Sequence, residues 1–341
     1  DGVMAKLGEV CLLKAGKFVS ANDISPEYNK GLYPCFGGNG IRGYVADYTH
    51  DGEFPLIGRQ GALCGNVNLA SGKFHATEHA VVVQPKIEMN VHWLYYALNA
   101  MNLGQYATGA AQPGLAVSKL ETLSIEIPNI SEQNKIAQTL YKVEQLVNFR
   151  KQQLAKLDEL VKARFVEMFG NKDYPRMKWN NVFNTTTGKL DSNAAVDNGK
   201  YPFFTCSKEP LKIDSYAFDQ TALLLAGNNA AGKYDVKYYQ GKFNAYQRTY
   251  VLSLKHNWSY KLFQYQLEDK LLYLQTKSLG GLTKYLTLKI LGELDFIVPP
   301  LALQNEFATF VARIDQQKQT VQQSLEKLEL MRKALMQEYF G

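Results

Sequence analysis

The 341-residue sequence contains no long hydrophobic run and few cysteines. No apolar stretch approaches the roughly 18 to 20 residues that a membrane-spanning helix needs, and the first ten residues lack the apolar core of a signal peptide. These features predict a cytoplasmic protein without a membrane segment. The four cysteines show no C-x-x-C spacing, so neither a zinc ribbon nor a disulfide framework is indicated. We expect Cys11, Cys35, Cys64 and Cys206 to be small core residues.

Charge is present in modest excess and is unevenly distributed. The net charge is +6, and residues 1–170 contain as many acidic as basic side chains, so residues 171–341 carry the whole excess. A composition of 46% apolar and 21% charged residues is that of an ordinary globular protein, so the chain is not predicted to be disordered. The charge imbalance is compatible with a polyanionic partner, and an ordinary solvated surface would give the same count.

The sequence contains an internal repeat with a period of roughly 170 residues, which is the signature of a duplicated unit. "IPNISEQNKIA" (127–137) matches "VPPLALQNEFA" (298–308), and "EMFG" ending at Gly170 matches "EYFG" ending at Gly341. Upstream, "GKFHA" from Gly72 matches "GKFNA" from Gly241 with a small change of offset, as loop variation would produce. The chain therefore consists of two copies of one unit.

Each copy has a β-rich part followed by a long helix. Short β-branched and aromatic runs separated by glycine-containing turns predict a mainly β domain in each copy, with a helix at "MNVHWLYYALNAM" and at "WSYKLFQYQLEDKL". The boundaries that follow are 1–129 for the first domain, 130–170 for the first long helix, 171–299 for the second domain and 300–341 for the second helix. The predicted fold class is α+β.

Both long helices carry a heptad pattern. The first begins after Pro128 with Ser131 as its N-cap, and each helix is expected to run about 35 residues, or about 50 Å. Polar residues interrupt the pattern at Arg150, Arg164, Lys318 and Arg332. Because one helix cannot bury this stripe alone, we predict antiparallel pairing of the two helices; the alternative is that each packs only onto its own domain. The predicted pairing residues are Ile136, Leu140, Val143, Val147, Leu154, Leu157, Val161, Phe307, Val311, Ile314, Val321, Leu325, Leu328 and Leu335.

Three short stretches have the spelling of catalytic motifs. "GNNAAGKY" (227–234) resembles a phosphate-binding loop but has Tyr234 where Ser or Thr should bind magnesium, and its copy-one equivalent, starting at Gly58, contains no lysine. "FGGNG" (36–40) resembles a methyltransferase loop but leads into a strand pattern, so a hairpin turn with positive φ is expected. "HATEH" (75–79) resembles a zinc motif, but a strand would place its histidines too far apart. We therefore predict no catalytic site and no bound metal.

Polar residues on the glycine-supported loops of both domains suit DNA recognition. Arg pairs with guanine and Asn or Gln with adenine, whereas Lys mainly contacts phosphates. Two different loop sets would read two unlike half-sites. The candidate DNA-binding residues are Asn39, Arg42, Arg59, Gln60, His75, Lys208, Lys212, Asn228, Asn229, Lys233, Gln247 and Arg248.

Taken over essentially the whole chain, this organisation resembles the specificity subunit of type I restriction-modification systems. The most specific elements are the helix starts "EQNKIA" and "LQNEFA" that follow a proline. The resemblance implies two target recognition domains that bind an interrupted site on double-stranded DNA, and an antiparallel coiled coil that spaces them and docks two methylation subunits. It also implies no catalytic activity in this chain and no cofactor of its own, with S-adenosylmethionine, ATP and magnesium held by the methylation and restriction subunits.

Other functions fit the same residues. The recognition subunit of a type II or type I-like methylation system would look identical from one sequence. A carbohydrate-binding or scaffold protein would use aromatic residues such as Tyr238, Tyr239, Tyr246 and Tyr250 to stack on sugars. A zinc enzyme built on His75 and His79 is a third alternative.

Overall fold

The computed structural model describes residues 2–109, 113–170 and 172–341. These residues divide into two compact units. Unit 1 contains the chain up to Gln152 together with Gln322–Gly341, and unit 2 contains Gln153–Val321. Within the described ranges, no helix is long and apolar enough to cross a membrane.

The first half of the chain forms eight strands and four α-helices among its described residues. In chain order these are β1 (Val3–Lys6), α1 (Leu7–Val10), β2 (Cys11–Ala15), β3 (Tyr33–Gly37), β4 (Gly40–Val45), β5 (His50–Gly58), β6 (Val67–Ala76), β7 (Ala80–Pro85), α2 (Val91–Ala100), α3 (Val117–Glu121), β8 (Ser124–Ile127) and α4 (Ile130–Phe169).

The second half repeats this order with additional short elements. They are β9 (Arg176–Lys178), α5 (Trp179–Val182), β10 (Phe183–Thr187), β11 (Tyr201–Phe204), β12 (Leu211–Ile213), β13 (Phe218–Ala226), β14 (Asn228–Asn229), β15 (Val236–Ala245), β16 (Thr249–Leu254), α6 (Tyr260–Asp269), α7 (Leu271–Lys277), β17 (Lys284–Tyr285), α8 (Leu288–Gly292), β18 (Asp295–Ile297) and α9 (Leu301–Phe340). The helices α2 and α6 lie where the sequence predicts them.

Each unit is built on a six-stranded sheet, and the two sheets have the same strand order. In unit 1 the order is β2-β7-β5-β6-β3-β4, and in unit 2 it is β10-β16-β13-β15-β11-β12. The pairs β3–β6 and β11–β15 are parallel, whereas the other pairs in both sheets are antiparallel. A small ladder, β1–β8 or β9–β18, completes each unit. The predicted α+β class and the internal repeat are therefore confirmed.

Each sheet is covered on both faces. In β7, Val81 and Val83 face one apolar cluster, which includes Trp93 of α2, whereas Ala80 and Val82 face a second cluster. Alternate residues of a strand point to opposite faces, so a strand buried on both sides has a continuous apolar sequence. The run "AVVV" in β7 follows from this position, and β16 divides its residues between two clusters in the same way.

A buried glutamine fixes the start of each long helix. Gln133 is 1% exposed, donates from Nε2 to the Pro128 carbonyl (2.8 Å) and accepts from the Asn90 amide (2.9 Å). Gln304 is fully buried and makes the equivalent bonds in unit 2. The shared glutamine of "EQNKIA" and "LQNEFA" thus ties the helix to its domain. The predicted N-cap at Ser131 is wrong, because Asn129 Oδ1 accepts from the Glu132 amide (3.0 Å).

Segments of α4 and α9 run antiparallel within each unit. In unit 2, Asp158 pairs with Lys318, and six residues further along α4 the guanidinium of Arg164 meets Glu306 at 2.7 Å. The partner number falls as the α4 number rises, as antiparallel pairing requires. Both α4 and α9 contain 40 residues, or about 60 Å, so the expected length of about 35 residues is too short.

Unit 1 shows the same antiparallel direction. Arg332 lies 3.9 Å from Glu144, and Arg150 Nε donates to Ser324 Oγ at 3.1 Å. The basic residues that interrupt the heptads therefore bind polar groups on the other helix, which compensates the cost of placing them at the seam.

The heptad residues turn inward, and the helix ends also pack onto their own domains. Ile136 and Leu140 belong to the apolar cluster that contains Trp93, and Phe307 belongs to the same apolar cluster as Leu262 of α6. Pairing between helices and packing onto the domain thus occur together. The buried heptad residues are Ile136, Leu140, Val143, Val147, Val161, Phe307, Val311, Ile314, Val321 and Leu325, and the half-buried ones are Leu154, Leu157, Leu328 and Leu335.

The cysteine prediction is half wrong. Cys11 and Cys35 are buried, whereas Cys64 is half-buried and Cys206 is exposed on the loop after β11. A short side chain on a loop is tolerated without packing, and the amino-acid type alone did not distinguish the two situations.

The three motif-like stretches form turns and strand ends. "FGGNG" forms the β3–β4 hairpin, in which Gly40 has φ +95°, as expected for that turn. "GNNAAGKY" passes through β14 and a turn into β15 with no intervening helix. "HATEH" is the end of β6 followed by a turn.

Candidate nucleic-acid interface

A tight turn at the same place in each domain organises the polar residues. Turn 1 (77–79) joins β6 to β7, and turn 2 (246–248) joins β15 to β16. The Thr77 amide donates to the Phe36 carbonyl at 2.9 Å, and the Tyr246 amide donates to the Phe204 carbonyl at 2.8 Å. A backbone hydrogen bond closes each turn: the Ala80 amide donates to the Thr77 carbonyl (3.0 Å), and the Thr249 amide donates to the Tyr246 carbonyl (2.8 Å). The two domains thus present residues 78–79 and 247–248 on one backbone frame.

A glycine-lysine pair lies beside each turn. A Cβ on Gly16 would lie 2.0 Å from the Ala76 carbonyl oxygen, and one on Gly188 would lie 1.7 Å from the Ala245 oxygen. Only glycine therefore fits where this segment crosses the end of β6 or β15. The following residues, Lys17 and Lys189, are exposed beside the turns.

These two lysines are absent from the sequence-based candidates. The repeated "GK" after β2 and after β10 could have revealed them, since it recurs at nearly the same offset as the matched segments.

A second loop contacts each turn on the side away from the glycine-lysine pair. It follows β5 in domain 1 and β13 in domain 2. The Arg59 amide donates to the His79 carbonyl (3.0 Å), and the Gly227 amide donates to the Arg248 carbonyl (2.7 Å). Arg59 is therefore equivalent to Gly227, one residue out of step with the match between Gly58 and Gly227 inferred from the sequence. By this register Gln60 is equivalent to Asn228.

Turn 1 carries an acid and a histidine. Glu78 Oε1 lies 3.2 Å from His79 Nε2, and both side chains are about one-third exposed, at 35% and 36%. Three shielded atoms around them, Glu78 Oε2, His79 Nδ1 and Arg59 Nε, have no hydrogen-bond partner in the protein. Unsatisfied polar atoms are uncommon in folded proteins, so these three atoms have capacity for a hydrogen bond to water or to a ligand.

Turn 2 carries side chains of a different kind. Gln247 and Arg248 are both exposed, and Gln247 Nε2 lies 3.4 Å from Asp191 Oδ2. The adjoining loop holds itself in place: Asn229 Oδ1 accepts from the amides of Ala231 (2.9 Å) and Lys233 (3.2 Å). The Lys233 side chain remains exposed. Asn229 thus stabilises the loop, while the exposed side chains of Gln247, Arg248 and Lys233 are accessible to a ligand.

The β3–β4 hairpin brings Asn39 and Arg42 to the same side of domain 1. Gly38 packs so closely that its Cβ would lie 3.3 Å from the His79 carbonyl oxygen. Asn39 accepts from Asn66 Nδ2 at 2.9 Å. Burial raises the pKa of the Cys35 thiol, while the positive charge of Arg42 lowers it and Glu78 raises it, so both charges act near this hairpin.

Two lysines of domain 2 that are among the DNA-binding candidates predicted from the sequence lie further out. Lys208 is exposed between β11 and β12. Lys212 is exposed on β12, the outermost strand of the sheet, opposite Pro202. Two strands, β11 and β15, separate it from β13, whose end carries the loop with Asn228. The structure therefore groups Asn228, Lys233, Gln247 and Arg248 and leaves Lys212 apart from them.

His75 does not belong to the exposed site. It is 8% exposed, lies in β6 opposite Cys35, and its Nε2 is 3.0 Å from the Lys17 carbonyl oxygen. Its equivalent, Asn244, is also buried and donates to the Ser215 carbonyl (3.3 Å). His75 is therefore packed inside the domain and is not presented with the exposed residues, and the sequence did not reveal this burial. Among the described residues, no three His, Cys, Asp or Glu side chains are placed to share a metal ion.

The tyrosines considered for sugar stacking serve mainly in packing. Tyr239 packs against Phe204 and Phe243, and the Tyr250 hydroxyl donates to the Leu286 carbonyl at 2.9 Å. Tyr238 is 45% exposed with its ring 6.0 Å from that of Tyr260. These contacts do not form an open row of aromatic faces.

Comparison with known proteins agrees with the duplicated architecture. The family model described as "Type I restriction modification DNA specificity domain" matches twice, at residues 1–159 and 171–330. The chain belongs to this type I specificity family. The two matches coincide with the two sequence copies, and each includes one of the two turns.

Curated relatives are specificity subunits. The chain is 52% identical over 149 residues to the type I restriction enzyme EcoprrI specificity subunit and 33% identical over 171 residues to the EcoDI specificity subunit, both from Escherichia coli. These alignments cover 43% and 48% of this chain. The chain spans only 37% of the length of each of these two relatives.

Solved structures share the fold over the whole chain. The S subunit of a type I restriction-modification system from M. genitalium superimposes with a TM-score of 0.71 at 19% identity, covering 100% of this chain and 96% of that one. A chain from a study of assembly and conformational transition of the type I system gives a TM-score of 0.52 at 13% identity, covering 99% and 97%. The fold of this type I specificity family member is thus that of an S subunit.

Proposed function

We propose that this protein is the DNA sequence-recognition subunit of a type I restriction-modification enzyme, with each β-rich domain binding one half of an interrupted site on double-stranded DNA. The observation that carries this proposal is the pair of equivalent turns, which present unlike polar side chains on one backbone frame. A protein that reads two different half-sites needs this combination, because the frame sets the approach to the groove and the side chains set the bases.

Lysines and arginines around the turns would supply affinity. Lys17 and Lys189 lie beside the turns, and Lys233 is exposed on the adjoining loop. Cations at such positions neutralise phosphates and release counterions, so binding should weaken steeply as salt is raised. A sugar-binding protein would show little dependence on salt, which separates the two functions.

The chain would act as a recognition component without catalysis of its own. Two methylation subunits would dock on the paired helices and carry S-adenosylmethionine, and restriction subunits would supply cleavage dependent on ATP and magnesium. A type II or type I-like methylation system would use the same chain with a different set of partners. Recovery of the complex from the native host, with mass spectrometry of its components, distinguishes these systems.

The direct test is selection of bound duplexes from a random library by the full chain, alone and together with the methylation subunits of its host. The expected result is an enriched sequence of two defined blocks separated by a spacer of constant length. Replacing residues 1–129 with the corresponding domain of another specificity subunit should change one block only. If no bipartite sequence is enriched with the methylation subunits present, the proposed function is wrong.

Spacer length tests the role of the helices. Removing one heptad from α4 and the facing heptad from α9 shortens each helix by about 10 Å. The expected outcome is a changed spacer with both half-sites intact. Altered base preference with an unchanged spacer would contradict the spacing role.

A further inference from the structure

Resting on the proposed function, we infer that Glu78, supported by His79, determines one base pair of the half-site bound by domain 1, by accepting a hydrogen bond from the N4 amino group of a cytosine. The equivalent positions in domain 2, Gln247 and Arg248, determine the corresponding base pair of the other half-site. Neither Glu78 nor His79 is among the DNA-binding candidates derived from the sequence.

The first step is positional equivalence. Turns 1 and 2 are closed by the same backbone hydrogen bonds, and the amides of Arg59 and Gly227 reach the last carbonyl of each turn at 3.0 and 2.7 Å. Side chains 78 and 79 therefore leave the backbone where 247 and 248 leave it in domain 2. If Arg248 contacts a base edge, His79 and its neighbour Glu78 occupy the matching place.

The second step is the chemistry of the acid. An ionised carboxylate only accepts hydrogen bonds and is repelled by phosphate. Two basic residues flank the turn, because the Arg59 amide bonds to the His79 carbonyl and the Lys17 amide bonds to the Ala76 carbonyl. The basic residues can bind the DNA phosphates, and the carboxylate can accept a hydrogen bond from a base edge that carries a donor. In the major groove that donor is the N4 amino group of cytosine, with which Glu and Asp pair.

The third step is the incomplete hydrogen bonding of the turn. One carboxylate oxygen of Glu78 meets His79, but Glu78 Oε2, His79 Nδ1 and Arg59 Nε lack protein partners. The side chains of Glu78 and His79 are about one-third exposed, and recognition of a base requires that they rotate on binding so that these shielded atoms reach the surface. A base edge would then satisfy a group that the free protein leaves unpaired.

Substitution of the acid tests the assignment. Glu78→Gln keeps the size of the side chain and adds a donor, so the preferred base at one position of half-site 1 should change from cytosine towards adenine, by about tenfold or more. Glu78→Asp keeps the acceptor and should retain the preference for cytosine with weaker binding. The measurement is the position-by-position base preference of the full chain with its methylation subunits, obtained by duplex selection.

The chain offers a matched control. Glu53 forms a similar pair with His92, at 3.1 Å between Oε1 and Nε2 and with side chains 39% and 32% exposed, away from the turn on β5. Glu53→Gln removes a comparable Glu–His pair and should leave both half-sites unchanged. The double exchange Gln247→Glu with Arg248→His should alter half-site 2 and leave half-site 1 unchanged.

The outcomes separate this inference from the proposed function. If the wild type selects a bipartite site and Glu78→Gln weakens all sequences equally, or changes nothing, Glu78 does not read a base and only the inference fails. If Glu78→Gln fails to fold, the reciprocal exchange in domain 2 and Glu78→Asp decide the matter. If the wild type selects no bipartite site, the proposed function itself fails.

Discussion

The two β-rich domains have the same strand order and the same turn geometry, yet they present Glu78 and His79 in one case and Gln247 and Arg248 in the other. The backbone frame therefore does not depend on these side chains. What the frame does require is glycine at positions 16 and 188, where a carbonyl lies against the backbone. Positions that the frame leaves free are where two homologous domains can diverge in specificity without losing their fold.

The packing of the long helices onto the two domains differs in a comparable way. Phe307 is fully buried among the rings of Phe165, Phe169 and Tyr265, whereas its equivalent by the repeat, Ile136, lies in a cluster of mainly aliphatic residues and Trp93. One helix geometry is thus stabilised by two kinds of core.

The largest expected effect contrasts these two cores. Phe307→Ala should lower the unfolding free energy of unit 2 by about 3–5 kcal/mol, because the cavity removes several ring contacts, and Ile136→Ala should cost unit 1 about 2–5 kcal/mol. Denaturant unfolding, monitored in each unit by hydrogen exchange, measures the two losses of stability. Phe307→Leu is the control and should retain part of the stability. Equal losses for Phe307→Ala and Phe307→Leu would show that ring packing is unimportant there.

The glycines beside the turns should respond equally in both domains. Gly16→Ala and Gly188→Ala force a methyl group against a carbonyl oxygen, and we expect a loss of about 1–3 kcal/mol in each. Gly292 in α8 is the control: nothing lies within 4 Å of its Cβ position, and Gly292→Ala should be neutral or slightly stabilising. Thermal unfolding checks all three. Tolerance of alanine at position 16 but not at 188 would mean that the two frames differ.

The buried glutamines test the repeat at the start of the helices. Gln133→Ala and Gln304→Ala each leave a carbonyl and an amide without a partner, for an expected cost of about 1–3 kcal/mol. The exposed neighbour Gln138 should tolerate alanine within about 0.5 kcal/mol. Chemical denaturation of the three variants provides the comparison, and a neutral Gln304→Ala would contradict the structural role.

The smallest expected effect is a pH-dependent loss of stability in domain 1, which has His50 where domain 2 has Phe218. His50 stacks on Phe74 with ring centroids 5.3 Å apart, where domain 2 stacks Phe218 on Phe243 at 5.1 Å. Burial lowers the pKa of His50, as do the nearby His75 and two lysines, so the unfolded chain binds the proton more readily. Stability from this group is therefore present above the unfolded pKa of about 6.5 and is lost as pH falls towards the folded pKa.

Hydrogen exchange of domain 1 between pH 7 and pH 5 measures this loss, and His50→Phe should reduce it. Domain 2 has no titrating group in the equivalent stack. An unchanged pH response in His50→Phe would assign the effect to other groups.

Several features of the chain followed from its sequence. The repeat was visible in matched segments, and the heptads predicted long paired helices. The GNG turn was predictable because a tight hairpin needs positive φ at Gly40. Other features were not predictable: the side of the sheet that buries His75, the cap at Asn129, the exposure of Cys206 and the one-residue shift that aligns Arg59 with Gly227.

The sequence by itself determined the duplication, the α+β class and the periodicity of the helices, because these depend on local spacing and on comparison of one half with the other. Only the tertiary structure decided which polar residues share a site. Lys17 and Arg59 are far apart in the chain, and backbone hydrogen bonds from Lys17 to Ala76 and from Arg59 to His79 bring both segments to the turn that carries Glu78. Such contacts depend on strand order and on glycine positions that admit a crossing segment, and no local pattern of residues specifies them.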